Sequence, residues 1–346
     1  MKTMSILRIL SFAVLVIVLA ESAMPVAHAA KKPAPKKTTK TVVLGTKQLD
    51  GNQAKLGVTY TLGKSSPINI TLDKIEYTVE PLRFGSDVVS AKSDQKIMVL
   101  HYTLHNCMPI NRSLGWSTLE ITAVDSNDTN WRYATAVAME ATGEPCNMDL
   151  KPAQKTRVYT AILVPAKGEI PKLIFQSSDK LVLRYDIRGK ALPLPAPIAD
   201  PSDPTKATAL EKVPAQMGTY YPMRELHGRI DSAEFSTEPF RDRAPGKGVR
   251  YLIIKGTVKN NLVSKRSMTW GTVTPKLMDS DGGEIHWASD TYYASRDDSI
   301  NADIEPGSEV HFRWVFEVPD KVQLQSLEIK QTSDGRLFAY DLTQIK

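Results

Sequence analysis

Residues 309–319 read Glu-Val-His-Phe-Arg-Trp-Val-Phe-Glu-Val-Pro. Val310, Phe312, Trp314, Phe316 and Val318 recur at every second position. A period of two rather than 3.6 marks a half-buried β-strand. Val158, Thr160, Ile162 and Val164 echo the pattern earlier in the chain, and Leu100, Tyr102 and Leu104 alternate with His101, Thr103 and His105. Leu119, Ile121 and Ala123 alternate in the same way, as do Val273, Pro275 and Leu277, where the proline predicts an edge or a bulge. Turn signals such as Asp281-Gly282-Gly283 and Pro306-Gly307 punctuate these runs, and no segment reads as a long amphipathic helix. The expectation is an all-β chain of antiparallel two-sheet sandwiches.

Working outward, the chain repeats itself. Residues 98–167 align without a gap with 252–321 at a constant offset of 154. Thr103 and Asn106 face Thr257 and Asn260; Trp116 faces Trp270; Asn147, Asp149 and Pro152 face Asn301, Asp303 and Pro306. Upstream, after a small change of length, Glu80-Pro81 answers Glu238-Pro239. Shared tryptophan, proline and turn residues in one order predict two tandem domains of roughly 130 residues each. The expected layout is a signal at 1–29, a basic arm at 30–50, a first domain at 51–189, a proline-rich linker at 190–216 and a second domain at 217–346. With Pro193, Pro195, Pro197, Pro201, Pro204 and Pro214 and no apolar period, the linker reads as extended and semi-rigid.

The second repeat carries a family likeness. Tyr251–Asn260 (YLIIKGTVKN) and Ile304–Pro319 (IEPGSEVHFRWVFEVP) resemble the telokin-like, immunoglobulin-fold domains of secreted bacterial proteins and lipoproteins. That pattern is a hydrophobic strand ending in Asn, a Pro-Gly turn, and a strand ending in Phe-Glu-Val-Pro. The first repeat departs from it, with Ala153 at the glycine position and Leu163 at the glutamate position. The resemblance covers both repeats but neither arm nor linker. It implies an immunoglobulin-like sandwich in an exported protein and transfers no active residues.

The start of the 346-residue chain reads as an address. Lys2 and Arg8 precede the apolar run Ile9–Ala20, and Ala27-His28-Ala29 offers small residues at the positions a signal peptidase reads. A run of twelve residues, broken only by Ser11, is too short to cross a bilayer, and no cysteine follows for lipid attachment. Cleavage is expected near Ala29, with the product secreted or periplasmic. Loss of Lys2, Arg8 and Glu21 takes the net charge from +6 to +5, an excess equal to Lys31, Lys32, Lys36, Lys37 and Lys40 in the arm. The arm predicts a spacer, or a weak contact with an anionic surface; the near-neutral remainder argues against a nucleic-acid partner.

Cys107 and Cys146 are the only cysteines. Export places them in an oxidising compartment, and each stands at the end of a predicted strand, so a disulfide is expected. Closing that loop of about 40 residues would contribute about 4 kcal/mol. The rival is a soft-metal site for copper built from His105, Cys107, Met108, Cys146 and Met148. His101 and His105 lie about 13 Å apart on a strand, too far to share one ion. The aspartate-rich stretches from Asp125 and from Asp279 offer calcium-type oxygens but miss the defining EF-hand positions, so hairpin turns are the favoured reading. Trp131, Tyr133, Trp287, Tyr292 and Tyr293 cluster just beyond those turns as candidate partner-binding aromatics, whereas Trp116 and Trp270 read as core. No nucleophile elbow, zincin motif or phosphate loop is present. The sequence therefore points to a non-catalytic module binding a protein or an envelope polymer. It assigns no cofactor, no metal and no oligomeric state; the alternatives are a periplasmic ligand- or metal-binding protein and, third, a hydrolase.

Overall fold

A computed structural model of the chain describes residues 52–115, 118–132, 137–177, 179, 181–286 and 290–345. The signal and nearly all of the basic arm expected at the start lie outside the described residues. All regular elements described are strands.

Two sandwiches follow one another, as the alternation predicts. In the first, one sheet has the order Asn52–Ala54, Val182–Asp186, Lys172–Ser177, Leu119–Val124, Asn130–Arg132. The facing sheet runs Ala138–Met139, Lys155–Pro165, Gln95–His105, Ile68–Thr78, Thr59–Leu62. The second sandwich repeats both orders: Lys212–Ala215, Leu337–Asp341, Leu324–Gln331, Val273–Asp279, Glu284–Ile285, facing Tyr292–Tyr293, Glu309–Pro319, Val249–Lys259, His227–Ser236, Tyr221–Pro222. In each, pairing is antiparallel except for the first strand of the first sheet. Pro275 takes the predicted edge position, because Glu284–Ile285 pairs only with Met278 and Leu277 and leaves the proline's outer side open.

Burial follows the period of two. Phe312, Trp314, Phe316 and Val318 point into the core of the second sandwich, and Val158, Ile162 and Val164 into that of the first. At one matching position of the cores the large residue sits on different strands. Tyr102 lies opposite Val158 in the first sandwich, and Gly256 lies opposite Phe312 at the matching place in the second. A Cβ on Gly256 would stand 2.5 Å from the Phe312 ring and 2.8 Å from the Arg229 carbonyl oxygen, so the large residue has changed strands. The outer face of each long sheet is half covered. Phe84 of the hairpin Leu82–Phe84/Asp87–Val89 packs on Tyr159, and Phe240 packs on Tyr251 and Tyr292. Beyond these covers the faces are polar.

The proline-rich segment joins the sandwiches, but it is packed against them rather than held apart as the extended, semi-rigid linker its composition suggests. Leu194, Ile198, Ala199, Ala207, Ala209 and Val213 are buried within one apolar cluster shared with both sandwiches. Leu192 exchanges backbone hydrogen bonds with Ile75 and Tyr77. Ala209 donates to the Ala166 carbonyl, and Lys212–Ala215 is already the first strand of the second sandwich. Short irregular contacts of this kind bury alanines and single aliphatics without any period, which is why the pattern is silent about them.

Two cations are sealed at this junction. The Lys96 ammonium donates to the carbonyls of Ala166 (3.2 Å), Gly168 and Ala207 and lies 4.5 Å from the centre of the Tyr77 ring. Burial brings its pKa down to about 8. Arg336 donates to the carbonyls of Leu210, Lys92 (3.3 Å) and Gln95 (2.6 Å), and burial lowers it to about 10. Around them His227 meets Glu80 at 2.6 Å, and Asp334 takes Arg224 at 2.5 Å and Lys92 at 3.3 Å. The sandwiches therefore share a polar interface that the linker reading did not foresee.

Candidate binding cleft on the first sandwich

The predicted aromatic cluster does not assemble as one platform among the described residues. Trp131 is half buried, and its indole N–H donates to Asp125 Oδ2 at 3.0 Å. Tyr292 is in the core, under Phe240, so it is a packing residue rather than an exposed one. Tyr293 donates to the Asn301 carbonyl at 2.9 Å and carries Arg296 over its ring at 3.7 Å. Tyr133 and Trp287 lie outside the described residues, as does Trp116. Trp270, expected in the core, is instead 59% exposed. It follows the short strand Arg266–Thr269 at a turn closed by a hydrogen bond from Thr272 to Thr269, which turns the indole away from the sheets.

The cysteines do not pair in this structure: both are free thiols. Cys107 is exposed beyond its strand, whereas Cys146 is turned inward beside Tyr102, Leu104, Leu114 and Val137. Burial there pushes the Cys146 thiol up. That inward orientation is the physical difference from the expected bridge. The aspartate-rich stretches form the hairpin turns. Asp125 Oδ1 accepts from Asn127 and Thr129 N–H at 2.8 and 2.9 Å, and Asp279 Oδ1 from Asp281 and Gly283 at 3.0 and 2.6 Å. Burial works against ionisation of Asp125, but the Trp131 indole and those N–H groups outweigh it and hold its carboxyl below the usual range. Among the described residues no three His, Cys, Asp or Glu side chains gather as a metal site.

The open half of the first sandwich's long sheet holds what sequence reading missed. Strand register lays out two adjoining cross-strand rows. One runs Thr59, Thr71, Thr103, Arg157; the next runs Thr61, Asn69, His105, Lys155. Within a row neighbours stand about 5 Å apart, and the rows are about 7 Å apart. A β-bulge between Leu72 and Lys74 turns Asp73 onto the same face, where Thr103 Oγ1 donates to it at 2.7 Å. Thr61 donates to Asn69 Oδ1 at 2.7 Å, and Asn69 Nδ2 donates to His105 Nδ1 at 3.3 Å. Thr71, Asp73, Thr103, Lys155, Thr156 and Arg157 line an open cleft of about 460 Å³. Further along the same face His101 is held between Glu76 (2.8 Å) and Glu140 (3.1 Å). Burial opposes ionisation of Glu76, but Lys74 and His101 hold it below the usual range.

The second sandwich has the same bulge, between Ile230 and Ser232, and the same pair, with Thr257 donating to Asp231 at 2.6 Å. His311 Nδ1 lies 2.9 Å from the Thr257 hydroxyl, whose proton is committed to Asp231, so the ring is the donor. Arg229 bonds Asp231 through Nε and lies 4.5 Å over the Tyr220 ring, and Tyr220 donates to Glu309 at 2.6 Å. Burial and that bond to Glu309 raise Tyr220 to about 12.

No family model matches the sequence, and no curated protein matches it. The chain is similar in shape to solved structures. One is an uncharacterized β-sandwich protein from Clostridium difficile, at 18% identity and a TM-score of 0.32, covering 41% of this chain and 97% of that one. Another is a secreted protein from Mycobacterium tuberculosis, at 10% identity and a TM-score of 0.30, covering 40% of this chain and 99% of that one. The yjhA protein from Bacillus subtilis gives 14% identity and a TM-score of 0.27, covering 39% and 98%. The β-sandwich assignment rests on the strand order described above, not on these likenesses.

Proposed function

We propose that the chain is an exported, non-catalytic binding module of the bacterial cell envelope, in the telokin-like manner its sequence resembles, and that its binding face is the polar cleft of the first sandwich. The observation that carries this is the cleft itself: a half-sheet left uncovered beside the Phe84 hairpin, floored by threonine hydroxyls and edged by Lys155 and Arg157. Its polar groups offer hydrogen bonds and positive charge to a ligand. Thr103 gives its proton to Asp73, and His101, further along the same face, is held between two carboxylates.

The test is co-sedimentation of the chain from residue 30 onward with isolated envelope polymer, at low and at physiological salt. Retention well above an inert protein of equal size is expected. Retention no greater than that control at either salt would overturn the proposal.

A further inference from the structure

The two sandwiches present one site in two states, and the difference identifies a ligand class. At the register position opposite Thr257 the second sandwich has Arg229; opposite Thr103 the first has Thr71. Arg229 fills the site from within, bonded to Asp231 and 3.4 Å from the Thr257 hydroxyl. On the neighbouring strand the second sandwich places Glu309 and His311, and the first places Lys155 and Arg157. The second site therefore carries its own cation among acidic groups and is neutralised internally. In the first, the internal cation has been replaced by a short threonine, which leaves the cleft, and the rim has changed sign.

From this we infer that the first-sandwich cleft binds an oxyanion, a carboxylate or phosphate borne on a polar polymer, with Lys155 and Arg157 as its cationic contacts and the Thr71 side as its hydroxyl donor. Lys155 and Arg157 are exposed, and neither has an ion-pair partner among the described residues. Arginine and lysine so placed give a forked donor and a point charge, the usual pair for oxyanion recognition. The hydroxyls support the same reading. Thr59 and Thr71 lie 2.7 Å apart and share one hydrogen bond, so of their two protons one remains for a ligand. Asp73 does not cancel the rim: one carboxylate, already accepting from Thr103, stands against two cations. The same row positions that a guanidinium closes in the second sandwich are left for an external group in the first. The inference rests on the proposed binding role and adds the chemistry of what is bound.

The experiment is calorimetric titration of the chain from residue 30 onward with polygalacturonate, polyphosphate and neutral dextran, with inorganic phosphate as competitor. Binding of at least one anionic polymer and none of dextran is expected, and the responding polymer distinguishes carboxylate from phosphate. Lys155→Ala with Arg157→Ala should weaken binding at least tenfold with an unchanged melting curve. Thr71→Arg is the sharper variant. It adds a positive charge but imports the plug of the second sandwich, so a built cleft loses at least tenfold. Tighter binding by Thr71→Arg would mean diffuse attraction and overturn the inference, as would equal binding of dextran or failure of both anionic polymers. If the envelope polymer sediments with the chain while both anionic probes fail, the inference falls and the binding role stands. If the anionic probes bind and envelope polymer does not, the reverse holds.

Discussion

Lys96 should make the fold more stable as the solution becomes mildly alkaline, against the usual trend. Its ammonium is caged by three carbonyls and a tyrosine ring with no carboxylate in hydrogen-bond contact, and burial lowers its pKa from 10.5 to about 8. Below pH 8 the lysine is charged in both folded and unfolded chains, and the folded chain bears the desolvation. Between pH 8 and 10.5 the folded lysine is neutral while the unfolded one still binds a proton, so the unfolded state holds more protons and stability rises with pH. At about 1.4 kcal/mol per pH unit the full shift amounts to about 3 kcal/mol, of which about 2 kcal/mol falls between pH 7 and 9.5. Other groups titrate nearby with the opposite sign. Cys146, raised above 9.0 by burial, loses stability as pH passes the ordinary thiol range, and Tyr77, raised by burial to about 12, does so above pH 10. Lys96→Met isolates the lysine, because those terms are common to both proteins. Denaturant unfolding of the two at pH 7, 8, 9 and 9.5 should show the wild type gaining about 2 kcal/mol relative to the variant across that range. Whatever Lys96→Met costs at pH 7, the change in the difference remains readable. Parallel curves for the two proteins would refute the caged ammonium.

Limited trypsin digestion should leave 190–216 intact, since Leu194, Ile198, Ala207, Ala209 and Val213 are buried and its backbone is bonded to both sandwiches; the first cuts in the described region should fall at Arg241, Arg243 or Lys247, in an exposed loop. Early cleavage at Lys206 or Lys212 would mean that the connector is free after all. Thiol titration of the native protein should find Cys107 reacting fast and Cys146 only on unfolding, because one is exposed and the other buried with its thiol pushed up. Unfolded, unreduced protein that shows no thiol would restore the disulfide.

The sandwich was legible because a half-buried strand writes its burial into every second residue, as Phe312, Trp314, Phe316 and Val318 do. The junction was not. Lys96 stands in phase with the inward Met98, Leu100 and Tyr102, and nothing local says that its ammonium ends against Ala207, far along the chain. Trp270 misled for a related reason: matching Trp116 marked it as shared, and sharing was read as core, though the indole is exposed. The cleft needed register. Thr71, Thr103 and Arg157 belong to three strands and become neighbours only once pairing is fixed. One signal was available. The length change between the repeats falls upstream of their matched core, and the upstream offset set by Glu80-Pro81 and Glu238-Pro239 places Asp73 against Asp231, the two bulged aspartates.

The two sandwiches differ in two ways, and the ways obey different rules. Inside, a large residue sits on one strand only where its neighbour leaves room: Tyr102 faces Val158, and Phe312 faces Gly256. Close packing enforces this, since a ring without its glycine would overlap the neighbouring strand. On the polar half-face the changes do not conserve charge. Lys155 and Arg157 stand where Glu309 and His311 stand, and Thr71 stands where Arg229 closes its own ion pair. An exposed face imposes no volume rule, and exposed ion pairs contribute about 1 kcal/mol or less, so folding alone has little hold over which charge sits there. What folding does hold, the bulged aspartate and its threonine, is the same in both. The scaffold of the site is thus fixed by the sheet and its charge is not. The first sandwich has been left with an unfilled cationic rim, which points to a partner from outside the chain.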